Sequence, residues 1–215
     1  MSGYKYLFGP VPSRRLGASL GVSPIPERTC NYSCVYCQLG RTLRMTNTRQ
    51  EFFPLEEILA EFREYLRGSI PFDVVTVVGE GEPTLYSRLG ELIAGLKKET
   101  DKPVAVITNG ALLYDAEMRR ELMEADIVLP SLDAVTEEQY RKIDRPMGSI
   151  GFAEMAEGLR QFAREYQGQL WIEIMLVDGM NDSPEDIAAF KEFLGTIDYD
   201  RVYLNTPVRP PAEGF

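Results

Sequence analysis

The stretch CNYSCVYC, residues 30–37, contains every cysteine of the 215-residue chain, Cys30, Cys34 and Cys37, at a C-x3-C-x2-C spacing. The chain has no histidine, so these three thiolates have no fourth cysteine or histidine to join them. Thiolate is a soft ligand that suits iron–sulfur clusters and zinc. Structural zinc sites normally have four protein ligands, and most cubane clusters are held by four cysteines. The spacing therefore predicts a [4Fe–4S] cluster with one iron open to a non-protein ligand.

Two other interpretations of the cysteines stay open on these residues alone. One is a zinc site completed by an aspartate or by water, and the other is an electron-transfer cluster. With the aromatic Tyr36 just before the last cysteine, the stretch resembles the signature of the radical S-adenosylmethionine (SAM) superfamily. The resemblance implies that SAM chelates the open iron through its amino and carboxylate groups. Reduction then cleaves a carbon–sulfur bond of SAM, and the 5′-deoxyadenosyl radical abstracts a hydrogen atom from a substrate.

Length and composition predict a single domain over residues 1–215, with 44% apolar and 26% charged residues. No apolar run is long enough for a membrane helix, and the first residues have no signal-peptide pattern. Clustered cysteines without a targeting segment favour a reducing, cytoplasmic location over disulfides. The formal net charge of −10 disfavours a broad nucleic-acid surface.

The charge is unevenly distributed along the chain. Residues 1–50 contain one acid, Glu27, and several basic residues, namely Lys5, Arg14, Arg15, Arg28, Arg41, Arg44 and Arg49. This excess suggests either a basic face beside the cysteines, for an anionic substrate, a nucleotide or an acidic electron donor, or ion pairs with the acidic remainder.

The hydrophobic pattern predicts strands that alternate with helices. After an irregular, proline-rich lead-in over residues 4–15, the predicted strands are 18–23, 73–78, 104–107, 127–129, 170–177 and 202–204. Helices are expected between them, including one capped by Ser149 and one by Ser183. Six such strands predict a parallel α/β sheet in a partial (β/α)6 TIM-like barrel, which is also the core that the resemblance implies. Nine residues follow Thr206, so we expect an exposed edge at the sixth strand or a missing C-terminal helix or extension.

Small and polar residues follow most of the predicted strands, at the edge where parallel α/β folds bind ligands. The run Gly79-Glu80-Gly81-Glu82-Pro83 resembles the family's Gly-Gly-Glu-Pro motif, with Glu80 in place of one glycine. The resemblance implies that this loop binds the amino group of SAM. It also implies contacts with the ribose and carboxylate of SAM from Thr108, Asn109, Ser131 and Asp133, and backbone contacts with adenine from Val177 and Gly179.

Candidate substrate contacts are four residues near the predicted mouth or in the basic quarter: Arg14, Arg15, Arg145 and Asn205. For Arg145, the carboxylate of SAM and a surface ion pair are alternatives. The resemblance also implies a reductant such as flavodoxin or ferredoxin, and no membrane partner.

Three runs look like small radical SAM proteins that are grouped with wyosine-type tRNA-modifying enzymes; they begin at Phe8, Cys30 and Leu204. Wyosine-type synthases use a second cluster on further cysteines, and this chain has none to spare. Three hypotheses follow. The first is a radical SAM enzyme acting on a small molecule, peptide or nucleotide, and the second is a radical SAM enzyme acting on tRNA or on a partner protein that receives a radical. The third is a non-enzymatic cluster or zinc protein. Without histidine, Ser-His-Asp and Cys-His catalysis are excluded.

Overall fold

A computed structural model describes residues 3–68 and 70–213 of the chain. In these ranges the strands are β1 (Leu7–Ser13), β2 (Gly17–Val22), β3 (Thr29–Cys30), β4 (Arg44–Met45), β5 (Val74–Val77), β6 (Val104–Thr108), β7 (Ile127–Pro130), β8 (Gln169–Met175) and β9 (Arg201–Asn205). The helices are α1 (Leu55–Arg67), α2 (Leu89–Glu99), α3 (Ala116–Leu122), α4 (Glu137–Ile143), α5 (Phe152–Glu165) and α6 (Pro184–Leu194).

One seven-stranded sheet has the order β1-β2-β5-β6-β7-β8-β9 and curls into a half-barrel. All neighbours from β2 to β9 pair in parallel, whereas β1 pairs antiparallel with β2. Strands β3 and β4 form a separate two-stranded pair. The predicted α/β partial barrel with six parallel strands is confirmed.

The first predicted strand, 18–23, corresponds to β2, but the prediction of an irregular lead-in over residues 4–15 was wrong, because β1 occupies part of it. Prolines 10 and 12 fit there because β1 is an edge strand whose register shifts between Phe8 and Val11. The expected cap at Ser149 was also wrong, since α5 begins after Gly151. The predicted start at Ser183 is confirmed by a capping box with Asp186.

Alternation along the strands separates two packed faces of the sheet. On the helix-covered face, apolar side chains such as Leu20, Val75 and Ile172 join the main core. On the concave face, Leu16 from the β1–β2 turn packs with a second buried cluster, which contains Val74, Ala105, Ile127, Leu129 and Trp171. Ala18 donates its N–H to Asp73, just before β5, so this turn lies at the amino ends of the parallel strands. The cluster therefore fills the amino end of the half-barrel.

Among residues 3–68 and 70–213, no helix combines the length and the apolar character that crossing a bilayer requires.

Candidate cluster and cofactor site

The cysteine loop, residues 30–40, lies at the carboxyl edge of the sheet. Ser33 and Val35 donate their N–H groups to the carbonyls of Asp144 and Ile143, at 3.0 and 2.9 Å. On the other side, the Glu82 N–H donates to the Thr29 carbonyl at 3.0 Å. The loop is therefore attached both to the end of α4 and to the segment that follows β5.

The three cysteines are free thiols and half-buried. Burial, with the nearby Glu82 carboxylate, raises the pKa of Cys30 to about 12. Burial and the Asp144 carboxylate also raise the pKa of Cys34, whose sulfur lies 3.7 Å from Asp144 Oδ1. Isolated thiolates are thus disfavoured here, and metal coordination is what would deprotonate such thiols.

The donor set is compatible with a cubane cluster. Within the described ranges, no group of three or more cysteine, aspartate or glutamate side chains is arranged to hold a single metal ion. A cubane cluster is bound by one thiolate per iron, so its ligands do not converge on one point. Three soft thiolates on one short loop match that requirement.

Glu82 is fully buried, and its carboxylate is surrounded by donors from the protein. One oxygen accepts from the Thr84 N–H at 3.0 Å and from the hydroxyls of Thr84 and Thr108, both at 2.6 Å. The other oxygen accepts from the Asn109 N–H at 2.8 Å. Burial raises the pKa of Glu82, and these four hydrogen bonds oppose that shift. Glu82 therefore joins the loops after β5 and β6, and Pro83 begins the 3-10 turn Pro83–Leu85 beside it.

The two glycines of this motif permit close packing with the chain before the cysteines. A Cβ atom on Gly81 would lie 1.9 Å from the Thr29 carbonyl oxygen, and one on Gly79 would lie 2.7 Å from the Ile25 side chain. Glycine is thus required at position 81 by a backbone contact.

Asn109, at the end of β6, lies between Glu82 and the first cysteine. Its side-chain amide donates to Asn31 Oδ1 at 2.7 Å and to Cys30 Sγ at 3.6 Å. Its Oδ1 accepts the Ala111 N–H at 2.9 Å. Both ends of this predicted SAM contact are therefore bonded within the protein.

Tyr36 and Asp133 meet across the site. The Tyr36 hydroxyl donates to one oxygen of the Asp133 carboxylate, and the Met175 N–H donates to the other at 2.6 Å. Burial raises the pKa of Asp133 to about 6. Ser131 lies two residues before Asp133 and donates its N–H to the Thr108 carbonyl at 3.0 Å. The predicted residues from the cysteine loop, β6 and β7 are thus brought together.

Asn181 was not among the predicted site residues, and the structure shows that it is fully buried. It accepts the Val177 N–H at 2.7 Å and donates to the carbonyls of Asp133 and Met175, at 2.8 and 2.9 Å. The N–H of Gly179 donates to Asp182, at 3.0 Å. Asn181 therefore fixes the segment after β8 against the segment after β7; the only signal was its place in a turn-like run after a strand.

Arg145 lies against the cysteine loop, where its carbonyl accepts the Ser33 N–H at 3.3 Å. Its guanidinium pairs with Glu213, which also pairs with Arg41 at 3.0 Å. Other basic residues of the first quarter pair likewise, Lys5 with Glu57 and Arg49 with Glu121, whereas Arg28 pairs within the quarter, with Glu27. Ion pairing with the acidic remainder thus accounts for much of the uneven charge.

The turn that contains two predicted substrate contacts, Arg14 and Arg15, lies at the end of the sheet opposite the cysteine loop. Arg14 is exposed in the β1–β2 turn, at the amino ends of the strands. From the same turn, Arg15 pairs with Glu173 on the concave face of β8, and the side chains are 24% and 13% exposed. Asn205, at the end of β9, pairs with Met175 and is at the carboxyl edge. Glu173 was not predicted, because an acid inside a strand gives no signal about its partner.

Residues 25–191 match the family model of the Radical SAM superfamily. The chain is similar to a protein named GTPase Obg from Brachyspira hyodysenteriae, with 43% identity over 205 residues, which are 95% of this chain and 30% of that protein. It is also similar to a UPF0026 protein of Methanocaldococcus jannaschii, with 39% identity over 210 residues, 97% of this chain and 65% of the relative. The chain thus spans less than two thirds of either relative.

A similar solved structure is native anSMEcpe with bound AdoMet. It has a TM-score of 0.66 and 17% sequence identity, and the match covers 89% of this chain and 52% of that chain. At this identity the likeness concerns the fold, and it agrees with the half-barrel described above.

Proposed function

This chain belongs to the radical SAM superfamily, and we propose that it is an enzyme in which Cys30, Cys34 and Cys37 hold a [4Fe–4S] cluster that binds SAM. When bound, the cluster and SAM supply a reductive cleavage that gives a 5′-deoxyadenosyl radical for hydrogen abstraction. The observation that carries the proposal is the position of the cysteine loop, at the carboxyl edge of the half-barrel and bonded to the loops after β5 and α4.

The chain's own residues then have distinct tasks. Glu82 holds the loop after β5 to the loop after β6 through hydrogen bonds with Thr108 and Asn109. Tyr36 and Asp133 hold the cysteine loop to the segment after β7. These contacts preorganise the carboxyl edge of the sheet. Because they occupy the polar groups of Glu82, Asn109 and Asp133, our candidates for SAM contacts are the backbone of the Gly79–Gly81 loop, Ser131, and the segment with Val177 and Gly179.

We assign the substrate to the part of the concave face that lies between the cysteine loop at the carboxyl edge and the buried cluster at the amino end, where Glu173 on β8 bridges to Ser131. Tyr203 on β9 packs against Trp171 at 5.7 Å between ring centroids, and Arg201 lies over the same indole. Arg15 and Glu173 add a guanidinium and a carboxylate to this face. On this basis we propose a substrate that carries polar or charged groups.

The test is anaerobic reconstitution with iron and sulfide, reduction with dithionite, addition of SAM, and electron paramagnetic resonance (EPR) spectroscopy with an assay for 5′-deoxyadenosine. We expect a reduced-cluster signal that changes with SAM, and slow release of 5′-deoxyadenosine. Variants with alanine at Cys30, Cys34 or Cys37 should lose the signal, whereas an alanine at the exposed Arg14 should retain it. If SAM does not change the EPR signal of the reduced cluster, the proposal of a radical SAM enzyme is contradicted. If the protein binds zinc and forms no cluster, the assignment of a [4Fe–4S] cluster is contradicted.

A further inference from the structure

The side-chain amide of Asn109 has one defined orientation. Its Oδ1 accepts the Ala111 N–H at 2.9 Å, so its Nδ2 faces the opposite side. There, one hydrogen on Nδ2 is directed to Asn31 Oδ1 at 2.7 Å and the other to Cys30 Sγ at 3.6 Å. A longer donor–acceptor distance is expected for sulfur, because its radius is larger than that of oxygen. The backbone at Asn109 is fixed as well, since its N–H donates to the buried Glu82.

The cysteine sulfurs lie in different electrostatic surroundings. Cys30 Sγ accepts from Asn109 and also from the Tyr32 N–H at 3.3 Å. Cys34 Sγ, by contrast, lies 3.7 Å from a carboxylate oxygen of Asp144. The direct contacts therefore differ: two N–H donors contact the first cysteine sulfur, and a carboxylate oxygen contacts the second.

We propose that Asn109 raises the reduction potential of the cluster by donating a hydrogen bond to the Cys30 sulfur. Reduction adds one electron, supplied by the external reductant, and part of its charge resides on the ligand sulfurs. A donor on such a sulfur binds the reduced state more strongly than the oxidised state, and hydrogen bonds to the sulfurs are among the factors that set cluster potentials. Asn109 is thus a positioning and tuning residue instead of a SAM contact.

This inference rests on the proposed function, because it requires a cluster on Cys30. The experiment is an EPR-monitored redox titration, without SAM, of the reconstituted full chain and of Asn109→Ala, Asn109→Asp and Asn31→Ala. Asn109→Ala and Asn31→Ala both remove the bond between the two asparagines, but only the former removes the donor to Cys30. Asn109→Asp keeps the shape and the acceptor for Ala111, while it replaces the donor with a negative charge.

We expect the potential to fall from wild type to Asn109→Ala and further in Asn109→Asp, with Asn31→Ala close to wild type. For Asn109→Ala, the ratio of reduced to oxidised cluster at a fixed solution potential should drop about tenfold, which is about 59 mV for a one-electron couple. If Asn109→Ala loses iron, Asn109→Asp provides the same test. Equal potentials in wild type and the Asn109 variants, or an equal fall in Asn31→Ala, would overturn the role of the Cys30 bond. Failure of the wild type to form a cluster would instead overturn the proposed function.

Discussion

Glu82 and Asn109 are joined by a hydrogen bond of 2.8 Å from the Asn109 N–H to the buried carboxylate, across 27 residues of sequence. The same carboxylate accepts from two threonine hydroxyls, so one side chain supports the turns at the ends of two strands. This contact gives Glu82 a structural task that is independent of any ligand.

Replacing Glu82 with alanine should therefore destabilise the protein without cluster or SAM. The change leaves buried donors on Thr84, Thr108 and Asn109 unpaired, and each such group costs about 1–3 kcal/mol. Removing the buried carboxylate itself offsets part of this cost, so we expect a net loss of roughly 3 kcal/mol in the free energy of unfolding, measured with urea. Glu80→Gln is the control, because Glu80 is exposed, and it should be near wild type. Equal stability of Glu82→Ala and Glu80→Gln would contradict the account.

Alanine at Gly81 should force apart the two segments that meet there. The added Cβ atom would lie 1.9 Å from the Thr29 carbonyl oxygen, and backbone has little freedom to give way. Overpacking of this kind typically costs about 1–3 kcal/mol, which thermal and urea unfolding would detect. Gly148→Ala is the matched control, since nothing lies within 4 Å of a Cβ there. A Gly81→Ala protein as stable as Gly148→Ala would show that the close approach is not a constraint.

The Arg15–Glu173 pair should behave as a partly buried ion pair. Removing one partner leaves a charge in a poorly solvated place, so Arg15→Met or Glu173→Gln alone should cost about 1–3 kcal/mol. The double variant should cost less than the sum, and a double-mutant cycle measures that coupling. Arg63 and Glu99 form an exposed pair, with side chains 44% and 29% exposed, and there the coupling should be about 0–1 kcal/mol. If the stability losses of the two single variants add up to that of the double variant, Arg15 and Glu173 do not interact as an ion pair.

The stability of the protein without a cluster should depend on pH in part through Asp133, together with the buried Asp144 and Glu82 carboxyls, whose pKa values burial also raises. Burial raises its pKa from 3.8 to about 6, so between these values the folded protein holds a proton that the unfolded chain has lost. The contribution of this group is therefore full below 3.8 and is lost as the pH rises through about 6.

Asp133→Asn should reduce that dependence. Its carbonyl oxygen accepts from Met175 and its amide donates to the Tyr36 hydroxyl, so both partners stay bonded. We expect a smaller decline in the free energy of unfolding between about pH 4 and about pH 7 than in wild type. Asp178→Asn, at an exposed position, should keep the wild-type decline. An unchanged slope in Asp133→Asn would mean that Asp133 is not the titrating group.

The local hydrophobic and helix-capping patterns of the sequence were enough to predict most of the fold. The β-branched run at β5 and the Ser183-Pro184 start of α6 were both identified, because strand burial and helix capping depend on neighbouring residues. The pattern failed at β1, where two prolines suggested an irregular segment. Pairing with β2 along an open edge is a tertiary event, and it tolerated the prolines.

The sequence by itself determined the soft-donor chemistry that the loop offers, since C-x3-C-x2-C places three thiols on one short segment whatever surrounds it. It also determined the edge of the sheet where the loop lies, because strand order and parallel crossovers follow from the alternation of elements. Only the tertiary structure decided what each polar side chain does. Asn109 meets Cys30 across 79 residues and Tyr36 meets Asp133 across 97, and such long-range contacts depend on how loops pack. For that reason Glu82, Asn109 and Asp133, which the sequence indicated as SAM contacts, are bonded to the protein itself.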